Sequence, residues 1–178
     1  MKTLFISLMA MLSSVAFGQL TEDFSSSNFS KWKGDINEFM INSNQQLQSN
    51  ATGAGTSWVA SAYHLQNDYS FQLWLNIAFS PSTTNYVKFY LFADHLQLDS
   101  IQKGIYCKVG KSGTTDSYDF YLQKKGSKDS LLISAPPGWA GASNNEASIK
   151  ILPFSNQWIV SIDPLGGENF ETLDTIPQ

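Results

Sequence analysis

The chain has 178 residues, a formal net charge of −4 and a single cysteine, Cys107. All 11 basic residues are lysine, which argues against nucleic acid as a partner, because guanidinium groups supply the bidentate base and phosphate contacts. One cysteine permits no intrachain disulfide, so the fold has to be held by core burial alone.

The first residues, "MKTLFISLMAMLSSVAFG", carry one lysine, an apolar run from Leu4 to Ala16 and a small-x-small ending, Ala16-Phe17-Gly18. This pattern predicts a signal peptide over 1–18, with cleavage after Gly18, and a protein that is secreted or held at the cell surface. The apolar run is shorter than the about 20 residues a spanning helix needs, and no later segment reaches that length. The mature chain, 19–178, is therefore expected to have no membrane span and to form one domain.

Strands are expected almost throughout the mature chain. "EFMINSNQQLQ" reads as two short strands about a Ser43-Asn44 turn, and "TSWVASAYHL" as a further strand. "YSFQLWLNIAF" alternates cleanly: Tyr69, Phe71, Leu73, Leu75, Ile77 and Phe79 share one face, and Ser70, Gln72, Trp74 and Asn76 the other. After the turn "SPSTT" comes "NYVKFYLFAD", with Val87, Phe89 and Leu91 on one side and Tyr86, Tyr90 and Phe92 on the other. "GIYCKVG", "SYDFYLQ" and "SLLIS" follow with short Gly- and Ser-bearing links, which predicts antiparallel hairpins. Cys107 shares a face with Ile105 and Val109 and reads as a small buried hydrophobe. "ASIKIL" and "QWIVSID" flank the turn "PFSN". Roughly nine or ten short strands with regular turns and no helical periodicity point to an all-β, antiparallel β-sandwich of jelly-roll type.

The loop between Val109 and Tyr118 is rich in Gly, Ser, Thr, Lys and Asp. A phosphate cradle needs a following helix N-terminus, and a strand follows here, so the loop reads as a hairpin bend with Asp116 capping the turn. Lys103, Lys108, Lys111, Lys124, Lys125 and Lys128 cluster around it, with Asp99, Asp116, Asp119 and Asp129 among them, which reads as a solvated rim.

The ordering "DF…F…W.GD…F.IN….LQ", followed by "GIYCKVGKSGTTDSYDFYLQKKGS" and "QWIVSIDPLGGENF", resembles the N-terminal β-sandwich domain of secreted Bacteroidota lamin-tail-domain-containing proteins. Phe24, Trp32, Gly34, Asp35, Phe39, Ile41 and Leu47 carry the first part of the match. Gly104, Tyr106, Val109, Gly110, Gly113, Asp116 and Leu122 carry the second. The resemblance implies a concanavalin A-like (lectin/glucanase) sandwich and an extracytoplasmic location. It also implies an apolar strand after the "D..GG.NF" turn. The chain instead continues as the polar "ETLDTIPQ", so the sandwich is expected to lack its last strand or strands, with further domains C-terminal in the native protein.

Glucanases of this fold place carboxylates along one strand face, with an acid and a nucleophile about 5–5.5 Å apart for retaining hydrolysis. Glu22 with Asp23, and Asp116 with Asp119, fall on opposite strand faces, and no nucleophile elbow is present. His64 and His95 read as structural, and one cysteine with two separated histidines argues against zinc. No cofactor is expected. A structural calcium in a loop, which the resemblance suggests, has Asp23, Asp35 and Asn37 as candidate ligands.

Sugar binding fits the composition best. The chain is 13% aromatic and 15% charged, and glycan sites set flat rings beside amides and hydroxyls. Trp74, between Gln72 and Asn76, is a candidate together with Tyr86, Tyr90 and Tyr121 on a sheet face, and Trp139 on the loop "APPGWAGAS". Trp58 and Trp158 are expected in the core. The function so predicted is a non-catalytic exported module that binds a glycan or surface polymer, or mediates adhesion, at a bacterial cell surface. Alternatives are a structural spacer of a larger secreted protein and a glycan-cleaving enzyme.

Overall fold

The computed structural model describes residues 22, 24–25, 28–62, 70–113 and 115–177. The expected signal peptide, Asp23, His64 and Tyr69 lie outside the described residues. Among the described residues there is no α-helix, only two 3-10 turns, Ile36–Glu38 and Leu98–Ser100. None of their helices is long and apolar enough to cross a membrane.

The first four strands are three residues each: β1 (Trp32–Gly34), β2 (Phe39–Ile41), β3 (Leu47–Ser49) and β4 (Val59–Ser61). They form two ribbons, β1 with β4 and β2 with β3. Longer strands follow: β5 (Phe71–Ile77), β6 (Val87–Ala93), β7 (Lys103–Val109), β8 (Tyr118–Lys124) and β9 (Ser130–Ser134). β10 (Asn145–Phe154), β11 (Gln157–Asp163) and β12 (Glu171–Pro177) complete the set. Sheet I has the order β12-β11-β10-β5 and sheet II the order β6-β7-β8-β9. Every pairing is antiparallel. The chain passes from sheet I to sheet II after β5, runs through sheet II as consecutive hairpins, and returns after β9 to set β10 beside β5.

One apolar cluster joins the two sheets into an antiparallel β-sandwich. Sheet I contributes Ile77, Ala147, Ile149, Ile151, Trp158, Val160, Ile162 and Ile176; sheet II contributes Ile105, Cys107, Val109, Tyr118, Phe120 and Ile133. Phe71, Leu73, Leu75 and Phe79 pack against it from β5, and Val87, Phe89 and Leu91 from β6, which is the alternation their sequence dictates. Each fully buried Ile or Val withdraws a side chain worth about 1.5–3 kcal/mol from water.

Three expectations are corrected. "ETLDTIPQ" does not leave sheet I without a strand after the "DPLGGENF" turn: its first seven residues form β12 at the sheet edge, with Ile176 sealed opposite Trp158. A register shift at Val160/Ser161 puts the inward residues Leu173 and Ile176 out of period two, which is why the segment reads as merely polar. Trp58 is not in the core: it is half-buried at the β1–β4 ribbon, its indole against Gly34, where a Cβ would come within 2.8 Å of the ring. Trp139 is not on an exposed loop tip: the 136–140 turn folds back because the Asp116 carbonyl accepts the Gly138 and Ala140 amides, at 3.0 and 3.1 Å, and the indole packs on the core.

Candidate functional site

With the inner faces consumed by the core, recognition falls to the outer faces and the loops. The five aromatic candidates divide among three places. Tyr86, Tyr90 and Tyr121 come together on the outer side of sheet II, Trp74 stands on the outer side of sheet I, and Trp139 packs inward.

On sheet II the register aligns Tyr90, Tyr106, Tyr121 and Leu131 in one row across four strands. Strand spacing makes that row about 14 Å long. Tyr106 joins the row because Ile105 and Cys107 point inward, so alternation turns it out. Its ring is tilted 51° to Tyr90 at 5.3 Å and stacked on Tyr121 at 5.4 Å. Leu131 reaches the outer face through a register shift beside Phe120/Tyr121, which leaves it 54% exposed while Ile133 stays buried. Although it lies outside the core, Tyr106 is only 3% exposed. Lys88 Nζ sits 4.3 Å from its ring centroid, and its hydroxyl donates to Asp129 Oδ2 at 2.5 Å. Burial first, then this carboxylate, pushes the Tyr106 pKa far above the ordinary phenol value. The Tyr90 hydroxyl donates to Gln123 Oε1 at 2.7 Å. The middle of the row thus spends its ring faces on neighbouring rings and its hydroxyls on neighbouring side chains. What remains open is Tyr86, 42% exposed, and the flank of Tyr121 and Leu131.

Beside this row the β7–β8 bend is pinned from within. Asp116 Oδ1 accepts the Lys111 amide at 2.6 Å, the turn-capping role its position suggests. Asp119 Oδ1 accepts the Ser117 and Ser134 hydroxyls, both at 2.6 Å, and Lys111 Nζ lies 2.7 Å from Ser117 Oγ and 3.5 Å from Asp119 Oδ2. Asp116, Ser117 and Asp119 are all buried. Every group in this network has a structural partner, so it stiffens the bend. Cys107 beneath it is fully buried, and desolvation raises its thiol pKa well above the ordinary range, as expected of an inert core residue.

Trp74 presents a different surface. It is 43% exposed on β5, the edge strand of sheet I. Gln72 and Asn76 flank it on the same face, and Lys150, Ser148 and Glu146 oppose these three residues on β10. Asp163 follows Ser148 on β11 and builds the turn beyond: its carboxylate accepts the Leu165 amide at 2.9 Å and the Asn169 amide at 2.8 Å. That turn brings Gly166, in the left-handed region at φ +75°, against the indole. A Cβ there would come within 2.9 Å of Trp74 Nε1 and 3.2 Å of Glu146 Oε2, so glycine is required on both counts. Among the described residues neither the Trp74 indole N–H nor the Glu146 carboxylate has a hydrogen-bond partner. An indole N–H that can donate, a carboxylate that can accept and the side-chain amides of Gln72 and Asn76 therefore lie around one flat apolar ring. Glu146 and Gly166 were not identified from sequence: Glu146 needs the β5–β10 register, and Gly166 needs the fold of the β11–β12 turn.

Of the calcium candidates, Asp35 spends Oδ2 on the Trp58 amide at 3.1 Å, and Asn37 sits in the exposed 3-10 turn that follows. No three His, Cys, Asp or Glu side chains converge among the described residues. His95 lies at the surface, 3.2 Å from Asp94. Two open clefts, about 360 and 290 Å³, adjoin Asp35 and share Thr56; Trp58, Gln97, Leu98 and Asp99 line the larger. They hold less promise than the Trp74 face, since their one tryptophan is backed by Gly34 and Asp35 is already bonded. Comparison with family models, with curated proteins and with solved structures gives no match.

Proposed function

We propose that this chain is an exported, non-catalytic sandwich module of concanavalin A-like, jelly-roll type that binds a neutral glycan or surface polymer at a bacterial cell surface, through the Trp74 face of sheet I. The observation that carries this reading is the exposed indole of Trp74 with hydrogen-bonding groups on every side and an edge turn built against it. A pyranose offers an apolar C–H face and a rim of hydroxyls. The indole takes the former, while Gln72, Asn76, Glu146 and the indole N–H are placed for the latter. Glu146 disfavours an anionic sugar at this position, and Lys150 turns its ammonium toward Phe170, 5.3 Å from the ring centroid. Binding rather than cleavage is favoured because Asp163, the carboxylate that shapes this turn, is held by two backbone amides.

Affinity electrophoresis through gels containing neutral polysaccharides tests the proposal. Trp74→Ala is expected to weaken retardation by about 2 kcal/mol, roughly thirtyfold in Kd, as for a central aromatic anchor. Its thermal midpoint should stay near that of the parent, because the ring lies outside the core. Failure of every neutral polymer to retard the parent protein, or equal retardation of Trp74→Ala, would overturn the reading and leave a structural spacer.

A further inference from the structure

We propose a second, separate site: the outer face of sheet II around Lys88, Lys108 and Tyr86 binds an anionic polysaccharide, one bearing carboxylate or sulfate groups. Lys88 and Lys108 are direct cross-strand partners. Like charges at such positions destabilise a sheet unless an opposite charge compensates them. None does within ion-pair distance among the described residues, where the ion pairs are His95 with Asp94 and Lys111 with Asp119. The two ammonium groups rest instead on aromatic faces, Lys88 4.3 Å from the Tyr106 centroid and Lys108 4.3 Å from that of Tyr86.

Of the aspartates interspersed with these lysines in the sequence, Asp129 favours the charged form of Lys88 from beyond ion-pair distance, and none forms an ion pair with either lysine among the described residues. Asp119, the partner of Lys108 on its other side, is buried and turned to Ser117, Ser134 and Lys111. Asp116 is committed to the Lys111 amide and Asp129 to the Tyr106 hydroxyl. A cationic pair thus remains at the edge of an aromatic row whose open parts are Tyr86, Tyr121 and Leu131. Sugar rings can lie along those apolar flanks while their acidic groups meet the ammoniums. Cation–π contact holds the two lysines in place. Single-stranded nucleic acid fits this face less well, since it needs open ring faces for its bases, and those of Tyr106 are taken by Tyr90 and Tyr121.

The whole chain carries a net charge of −4, so a polyanion is repelled at long range and its retention demands a local site. Affinity electrophoresis of the secreted chain in gels containing polygalacturonate, dextran sulfate or laminarin supplies the test. Retardation is expected in one or both anionic gels, and which of them retards separates uronate from sulfate ester. Retardation should fall as salt rises, and the Lys88→Gln/Lys108→Gln double variant should lose at least about tenfold in apparent affinity while keeping the parent circular dichroism spectrum. Lys108→Gln alone, which leaves the buried Tyr106 contact intact, should lose part of that affinity and serves if the double variant does not fold. Trp74→Ala should bind the anionic polymers normally, so failure here and failure of the neutral-glycan reading are told apart. The proposal is overturned if neither polyanion retards the parent, if the lysine variants bind as the parent does, or if a single-stranded oligonucleotide competes as well as the polysaccharide.

Discussion

Tyr118 shows how a single residue can be well packed and still poorly satisfied. It is fully buried, and its hydroxyl has no hydrogen-bond partner among the described residues. A hydroxyl removed from water without compensation costs about 1–3 kcal/mol in proteins. Tyr118→Phe removes that oxygen and keeps the ring, so it should raise stability by about 1 kcal/mol, or roughly 2–4 °C in thermal midpoint for a chain of this size. Burial, with Cys107 as a smaller influence, pushes the Tyr118 pKa from 10.0 up to about 12. A group whose folded pKa is raised gives stability that is complete below its unfolded pKa and lost as pH climbs through the folded one. Parent stability should therefore decline between about pH 10 and 12, and the decline should be shallower in Tyr118→Phe. Urea midpoints at pH 8 and across the alkaline window check both statements. A lower midpoint for the variant at pH 8 would mean that the hydroxyl has a partner after all.

At the scale of elements, the β10–β11 hairpin turns on two residues, Ser155 and Asn156, with φ +46° and +62°. Two successive left-handed residues make the mirror-image turn that matches strand twist, and Asn-Gly is its preferred sequence. Left-handed backbone costs an ordinary residue about 1–2 kcal/mol, least for Asn and Gly. Ser155→Asn combined with Asn156→Gly should consequently stabilise the protein by about 1 kcal/mol, read as a higher midpoint of thermal unfolding; a lower one would contradict the turn geometry. The sequence makes this hairpin easy to see, since "ASIKIL" and "QWIVSID" alternate on either side of "PFSN". It makes β5 easier still, because six apolar residues at period two leave Trp74 on the outside. Elements whose phase is broken are harder. β12 hides behind a register shift, and Leu131 reaches the outer face through another, so neither follows from alternation alone. Trp139 is misplaced for a different reason: its burial depends on two amides returning to the Asp116 carbonyl from the connection between β9 and β10, a contact with no local sequence signal. The candidate sites follow the same division. Trp74 and the outward tyrosines were legible from strand period, whereas the Lys88–Lys108 pairing, the approach of Gly166 to Trp74 and the diversion of Asp119 into a buried network exist only once strand register is fixed.

For the molecule as a whole, the sandwich and the N-terminal ribbons should differ in stability. β5 to β12 share one apolar cluster, and the eight strands of the two sheets pair over four to seven residues. The ribbons β1–β4 and β2–β3 pair over three residues each and contribute no member to that cluster. An isolated two-stranded ribbon is marginal in water, because few ladder bonds and little buried area oppose the entropy of ordering it. They are held by local devices instead: Asn42 Oδ1 accepts the Asn44 and Gln46 amides at 2.9 and 3.1 Å, and Asp35 joins Trp58 through both its carboxylate and its backbone amide. Such contacts open without disturbing the two sheets, so the chain should unfold in at least two steps of protection. Native-state hydrogen exchange is expected to show the amides of β7, β8, β10 and β11 exchanging only with global unfolding, and those of 32–49 exchanging orders of magnitude faster. Raising urea within the native baseline should leave the rates over 32–49 nearly unchanged, since local opening exposes little surface, while the core amides converge on the global slope. Protection at β2–β3 equal to that at β7–β8 would show that the ribbons are part of the cooperative core.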